Sequence, residues 1–113
     1  LWRIIMANTF KSAATGSNTA ITTMYTCPAA TSAVVHAMYL SNIDGTNDAT
    51  ISVSVSGSAN FQTRRYLLKT VDVPADSTVV IEKPVNLGAS DKLETQASAD
   101  GDIDVFASIL EIT

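Results

Sequence analysis

Cysteine occurs once, at Cys27, so no disulfide can close within the chain and no metal centre can be built from thiolates alone. No apolar run approaches the roughly 18 residues that a membrane-spanning helix needs, and no membrane role is expected. The seven bases never gather into a run and the formal net charge is −4, which argues against a primary role on nucleic acid. Aromatic residues make up 6% of the chain. Trp2, Phe10, Tyr25, Tyr39, Phe61, Tyr66 and Phe106 are spread along it, so no stacking platform for a carbohydrate is legible. Stability has to come from packing, helped by association between copies.

The apolar content, 46%, is too high for a disordered chain, and 113 residues suffice for one core but not two. One domain over 6–113 is therefore expected. Residues 1–5 precede a stretch, Met6-Ala7-Asn8-Thr9-Phe10-Lys11-Ser12, that reads as an ordinary protein start. They are taken as an upstream or added extension. The apolar Leu1–Met6 segment is too short for the core of a secretory signal, so secretion is not indicated.

Serine, threonine and alanine fill the small and polar positions, and the β-branched residues alternate with them in a period only a strand can use. Over Thr50–Ser56, Ile51, Val53 and Val55 share one side while Thr50, Ser52, Ser54 and Ser56 share the other, the pattern of a half-buried strand with a hydroxyl-lined solvent face. The same reading places strands over Ala20–Cys27, Ala33–Asn42, Phe61–Val71, Thr78–Glu82, Lys92–Ala97 and Ile103–Ile112, with a weaker one at Thr9–Ala13. In Ile103–Ile112 both sides carry bulk near the end, so a central strand or a subunit contact is expected there, with Phe106 and Leu110 as interface candidates. Turn-forming clusters at 44–48, 57–60, 88–91 and 99–102 read as hairpin loops. The expectation is an all-β, antiparallel β-sandwich, jelly-roll-like or Ig-like, of about seven or eight strands without substantial helix.

A short echo supports two layers. Cys27-Pro28-Ala29 leads through Thr31 and Ser32 to Val34-Val35, and Val73-Pro74-Ala75 leads through Ser77 and Thr78 to Val79-Val80. In each, proline closes one strand because it has no N–H for a ladder, and a small polar turn launches the next. Two equivalent corners of a sandwich are expected.

Charge is uneven along the chain. Residues 1–71 carry five bases against Asp44 and Asp48, or +3; residues 72–113 carry Lys83 and Lys92 against nine acids, or −7. Such asymmetry suits complementary contacts between copies, unless strands from the two halves interleave and cancel it.

Reactive constellations are weak. His36 is the only histidine, and Cys27 precedes a proline at a strand end, where no helix terminus would lower its pKa. Asp100, Asp102, Asp104 and Glu111 match positions 1, 3, 5 and 12 of a calcium-binding loop. The sixth position is Val105, however, where that loop needs glycine. A looser calcium site at Asp100 and Asp102 stands against the plainer reading of a solvated acidic turn. Arg64, Arg65 and Tyr66 are the remaining interface candidates, because neighbours on a strand point to opposite faces and arginine and tyrosine suit contact anchors. No cofactor and no catalytic residue is expected.

The residues also carry a resemblance. The Tyr25-Thr26-Cys27-Pro28 corner, the Ser41-Asn42-Ile43-Asp44-Gly45-Thr46 hairpin, the Val73-Pro74-Ala75 corner and Leu87-Gly88 through Asp91-Lys92-Leu93 are joined by a closing Ala97-Ser98-Ala99 and Ala107-Ser108-Ile109-Leu110-Glu111. Together, from Met6 onward, they resemble small virion structural proteins of tailed bacteriophages, especially of marine and cyanobacterial phages. The resemblance implies a non-enzymatic, multi-copy β-sandwich subunit of the virion, assembled in the host cytoplasm. Capsid decoration is its first expected role, ahead of a neck, tail or baseplate part or a receptor- or glycan-binding fibre module. Its implied partners are further copies of itself and other virion proteins, such as the major capsid protein or neck and tail proteins.

Overall fold

In the computed structural model, which describes residues 8–57 and 64–113, every regular element is a strand. They are β1 (Asn8–Gly16), β2 (Thr22–Thr26), β3 (Ser32–Asn42), β4 (Ala49–Ser56), β5 (Arg65–Val73), β6 (Thr78–Ile81), β7 (Val85–Leu87), β8 (Lys92–Ala97) and β9 (Ile103–Ile112). One sheet runs β1-β9-β3-β6, with β7 also on β3, and the other runs β2-β8-β4-β5; every pairing is antiparallel.

Alternation decides what lies between the sheets. From one layer come Val35, Met38, Leu40, Ile103, Val105, Ala107 and Ile109, and from the other Ile51, Val53, Val55 and Leu93, all essentially excluded from water. His36 forms a bulge in β3, where the register on β9 shifts between Val35 and Ala37. The bulge changes which residues point inward, from Ala33 and Val35 before it to Met38 and Leu40 after it. The partner edge breaks at the same level. β6 pairs with 38–41 and β7 with 33–35, and Pro84, which cannot donate to a ladder, lies in the gap. Counted as one interrupted edge strand, β6 and β7 make the fold eight-stranded.

The two proline corners are equivalent in detail. Cys27 and Val73 are both buried, Ala30 and Asp76 both take positive φ (57° and 58°), and the hydroxyls of Thr31 and Ser77 donate to the carbonyls of Ala29 and Ala75. Each corner lifts the chain from the β2-β8-β4-β5 sheet to the other.

Several expectations need correcting. The segments at 44–48, 88–91 and 99–102 are not hairpin loops; they belong to connections that cross from one sheet to the other, and among the described residues the only successive strands that pair are β4 and β5. Turn chemistry reverses the chain but does not choose the strand's neighbour. The weak strand at Thr9–Ala13 is a full nine-residue edge strand paired along its length with β9. The strand expected over Ala20–Cys27 is confined to Thr22–Thr26, and β7 was not anticipated. Strand β5 begins at Arg65, and the expected start at Phe61 lies outside the described residues. Ser54 does not face water: Glu94 and Tyr66 flank it on the outer surface and leave it 4% exposed.

The strand orders settle the kind of sandwich. An Ig-like fold keeps several sequential hairpins within one sheet, whereas here nearly every connection changes sheet. This is the winding of a jelly roll.

Among the described residues two buried side-chain atoms, Asp91 Oδ1 and Thr95 Oγ1, have no hydrogen-bond partner. Thr95 lies on β8 and is 1% exposed. Because a buried hydroxyl without a partner costs about 1–3 kcal/mol, Thr95→Val, which keeps the shape, is expected to stabilise the protein by about 1 kcal/mol. A higher urea midpoint at unchanged slope would be the readout.

Candidate assembly surfaces

Among the described residues, Cys27 and His36 are not brought together. Cys27 is buried, its thiol directed at the carbonyl of Thr31 at 3.3 Å, and burial pushes its pKa up, as do the nearby carboxylates of Glu111 and Asp91. His36 lies exposed on the outer surface of the β1-β9-β3-β6 sheet, stacked on Phe10 with ring centroids 6.3 Å apart. Cys27 and His36 therefore cannot act on one substrate atom.

The calcium-loop spacing is a coincidence of the strand. Asp104 points outward from β9, Glu111 points inward, and the two stand near opposite ends of it. Asp100 accepts the N–H of Thr19 through its Oδ1 (2.8 Å), and Asp102 contributes its main-chain carbonyl to Ile43 N–H. Among the described residues no group of three or more His, Cys, Asp or Glu side chains is placed to hold a metal ion.

Glu111 instead forms a polar link between the sheets. It is 6% exposed, and it accepts hydrogen bonds from Tyr25 Oη of β2 at 2.5 Å and from Lys11 Nζ of β1 at 2.9 Å. These donors, Tyr25 first, hold the Glu111 carboxyl below the usual range. The Tyr25 hydroxyl moves the other way, raised by burial and then by the carboxylate it serves.

The outer surfaces of the two sheets differ sharply. On the β2-β8-β4-β5 sheet the register puts Thr50, Ser52, Ser54, Ser56, Lys92, Glu94 and Gln96 outward, a polar surface. Here Arg64 is not a free anchor, because its guanidinium folds onto Glu94 (Nη2 to Oε1 3.2 Å), which also accepts from Ser56 Oγ at 2.7 Å. Arg65 and Tyr66 are exposed at the start of β5, and Lys69 Nζ stands 4.3 Å above the Tyr66 ring.

On the other sheet, cross-strand registers line up apolar rows. Ala14, Phe106, Tyr39 and Val80 follow one another from β1 across β9 and β3 to β6, and Phe10, Leu110 and Val34 form a second row. Phe10 is 77% exposed, Tyr39 45% and Phe106 42%, and the last two rings pair at 6.2 Å. A shallow groove lies between that pair and Ala14, with Ser41 and Asp104 at its rim. Asp104 is the only charged side chain that the registers place on this surface among the described residues. Of the interface candidates from sequence, Phe106 and Leu110 belong here. Phe10, Tyr39 and Val80 were missed, because only the strand order shows that they share a surface.

The protein is thus a jelly-roll β-sandwich whose recognisable features lie on its outside. No protein-family model and no curated protein matches the chain. Among solved structures it is similar to a chain from Bacillus endospore appendages, described as a novel family of disulfide-linked pili, with 16% identity, TM-score 0.54, and coverage of 96% of this chain and 88% of that one. It is also similar to a chain from the acid-stable capsid of the Helicobacter pylori bacteriophage KHP30, with 14% identity, TM-score 0.53, and coverage of 96% and 94%. At such identities the likeness shows the shared fold.

Proposed function

We propose that this chain is a non-enzymatic structural subunit of a tailed-phage virion, present in many copies as a capsid decoration protein. The observation that carries the reading is the nearly uncharged aromatic surface of the β1-β9-β3-β6 sheet. A soluble protein rarely leaves Phe10, Tyr39, Val80 and Phe106 open on one side without a contact for them. The occupant that fits is another flat, weakly charged protein surface, that of the shell on which the subunit is mounted. The phage attribution draws on the sequence resemblance and on the capsid to which the KHP30 neighbour belongs. The marine or cyanobacterial type rests on the resemblance alone.

A neck, tail or baseplate role uses the same surface and differs in copy number. The fibre-module reading, by contrast, calls for aromatics on loops. Among the described residues the connections between strands contain none.

Counting copies per purified particle is the test: on the order of hundreds supports decoration, and about six to a few dozen supports a neck or tail part. Phe106→Asp is expected to leave the fold intact and to remove the protein from particles assembled with it. Full retention of that variant would overturn the contact assignment.

A further inference from the structure

The charge asymmetry of the chain takes a form in space that its linear distribution does not reveal. Strands from both halves interleave, yet the charges separate along the length of the sandwich. At one end lie the connections 17–21, 43–48, 74–77 and 98–102, carrying Asp44, Asp48, Asp76, Asp100 and Asp102. Asp72 and Asp104 flank them on the adjoining strand ends. No lysine or arginine among the described residues stands at this end.

The loops there are tied together by main-chain hydrogen bonds, Ile43 N–H to Asp102 O and Asp76 N–H to Asp44 O, so the carboxylates are held on a shared framework. Asp44 stays ionised readily, because the N–H groups of Thr46 and Asn47 bind its carboxylate and lower its pKa. At the opposite end the described bases are Lys11, Arg64, Arg65 and Lys92, with Lys69 midway along β5. The side-chain carboxylates there, Asp91, Glu94 and Glu111, are all buried. Lys11 and Arg64 neutralise Glu111 and Glu94, leaving Arg65 and Lys92 exposed and without a carboxylate partner, against the buried Asp91. Glu82 and Lys83 adjoin one another between β6 and β7 and offset each other.

We infer that copies of this chain associate head to tail, the aspartate-lined end of one meeting the Arg65/Lys92 end of the next. The occupant is a second copy because its basic end offers the opposite charge to the acidic end. Two acidic ends would repel, which excludes a two-fold contact through that end. Such a heterologous contact closes into a ring when the rotation between copies permits and otherwise propagates as a filament. The inference rests on reading the chain as a repeated structural subunit and specifies how the repeats touch.

The test is sedimentation of the purified chain at increasing concentration in about 50 mM and about 500 mM salt, where the screening length shrinks from about 14 Å to about 4 Å. Self-association is expected at low salt, weakened at least about tenfold at high salt. Two double variants then probe the ends: Arg65→Glu with Lys92→Glu makes both ends acidic, and Asp72→Lys with Asp104→Lys weakens the acidic end, leaving five carboxylates against two lysines. All four residues are exposed and none makes a hydrogen bond or ion pair through its side chain, so unchanged circular dichroism is expected. The Arg65→Glu/Lys92→Glu variant should stay monomeric, the Asp72→Lys/Asp104→Lys variant should associate more weakly than the unsubstituted chain, and an equimolar mixture of the two should associate where the first alone does not. A chain monomeric under all conditions would overturn the inference, as would association that persists in high salt and in both variants, which would place the contact on the apolar sheet. Association that requires a divalent cation and disappears with chelator would mean acidic ends bridged to each other, and would also overturn it. None of these outcomes alters the copy number per particle, so this test fails independently of the decoration reading.

Discussion

Leu40→Ala is expected to lower the free energy of unfolding by about 3–4 kcal/mol. Leu40 is fully buried on β3, the strand that pairs with β9 on one side and β6 and β7 on the other. Removing its branched end costs the transfer energy of the lost methyl groups, and a further amount for the cavity, because sheet backbones on both sides of the site resist collapse. With no disulfide to restrain the unfolded chain, and a total stability of about 5–15 kcal/mol typical of a domain, that loss would bring the protein close to unfolding at growth temperature. Val80→Ala, on the outer surface of the adjacent β6, provides the comparison and should change stability by less than about 1 kcal/mol. Urea unfolding of both variants checks the pair. A Leu40→Ala loss no larger than that of Val80→Ala would mean that the two sheets do not enclose a close-packed core.

Tyr25→Phe is the second large effect, expected at about 1–3 kcal/mol. The phenol donates across the gap between sheets to the buried Glu111, and its removal leaves that carboxylate with Lys11 as its remaining side-chain donor. Unlike the core deletion, this loss depends on pH. The folded-state pKa of Glu111 is depressed, so its contribution is complete above the unfolded value of about 4.3, and it is lost as pH falls through the lower folded value. At the alkaline end the sign reverses. The Tyr25 pKa is raised by folding, so the native state resists phenol ionisation and loses stability as pH climbs above the unfolded tyrosine value of about 10. Tyr25→Phe should therefore flatten the stability profile at both extremes. Glu111→Gln, which retains an acceptor for the phenol, should remove the acid limb while costing less at neutral pH. Thermal melts from pH 3 to 11 would read both; an acid limb of undiminished steepness in Glu111→Gln would show that another carboxylate governs it.

How much of this was legible beforehand varied with the strand. The Ile-Ser-Val-Ser-Val alternation of β4 and the Ile-Asp-Val-Phe-Ala pattern of β9 declare themselves, because a strand with one side in the core must place an apolar residue at every second position. Strand β1 does not. It is an edge strand exposed over most of its length, so Phe10 and Lys11 obey no burial constraint and leave no period to read. Strand β7 is three residues long and follows Pro84, too brief for any pattern. The proline corners could be read in both copies, since they depend on proline's missing N–H, which closes one strand, and on a small polar turn that launches the next. The candidate assembly surfaces were legible only in fragments. Phe106 and Leu110 could be singled out from β9, but their companions on β1, β3 and β6 are distant in the chain.

What the chain alone determined is what depends on near neighbours: strands, corners and the inward set of β4 and β9. Tertiary structure decided which strands lie side by side, and with that the jelly-roll order, the aromatic surface, the Tyr25–Glu111–Lys11 link and the acidic and basic ends. The physical reason is that side-chain alternation specifies a burial side and turn chemistry specifies a reversal, but neither encodes a partner. Strand pairing is selected by the joint packing of both sheets, to which every strand contributes at once.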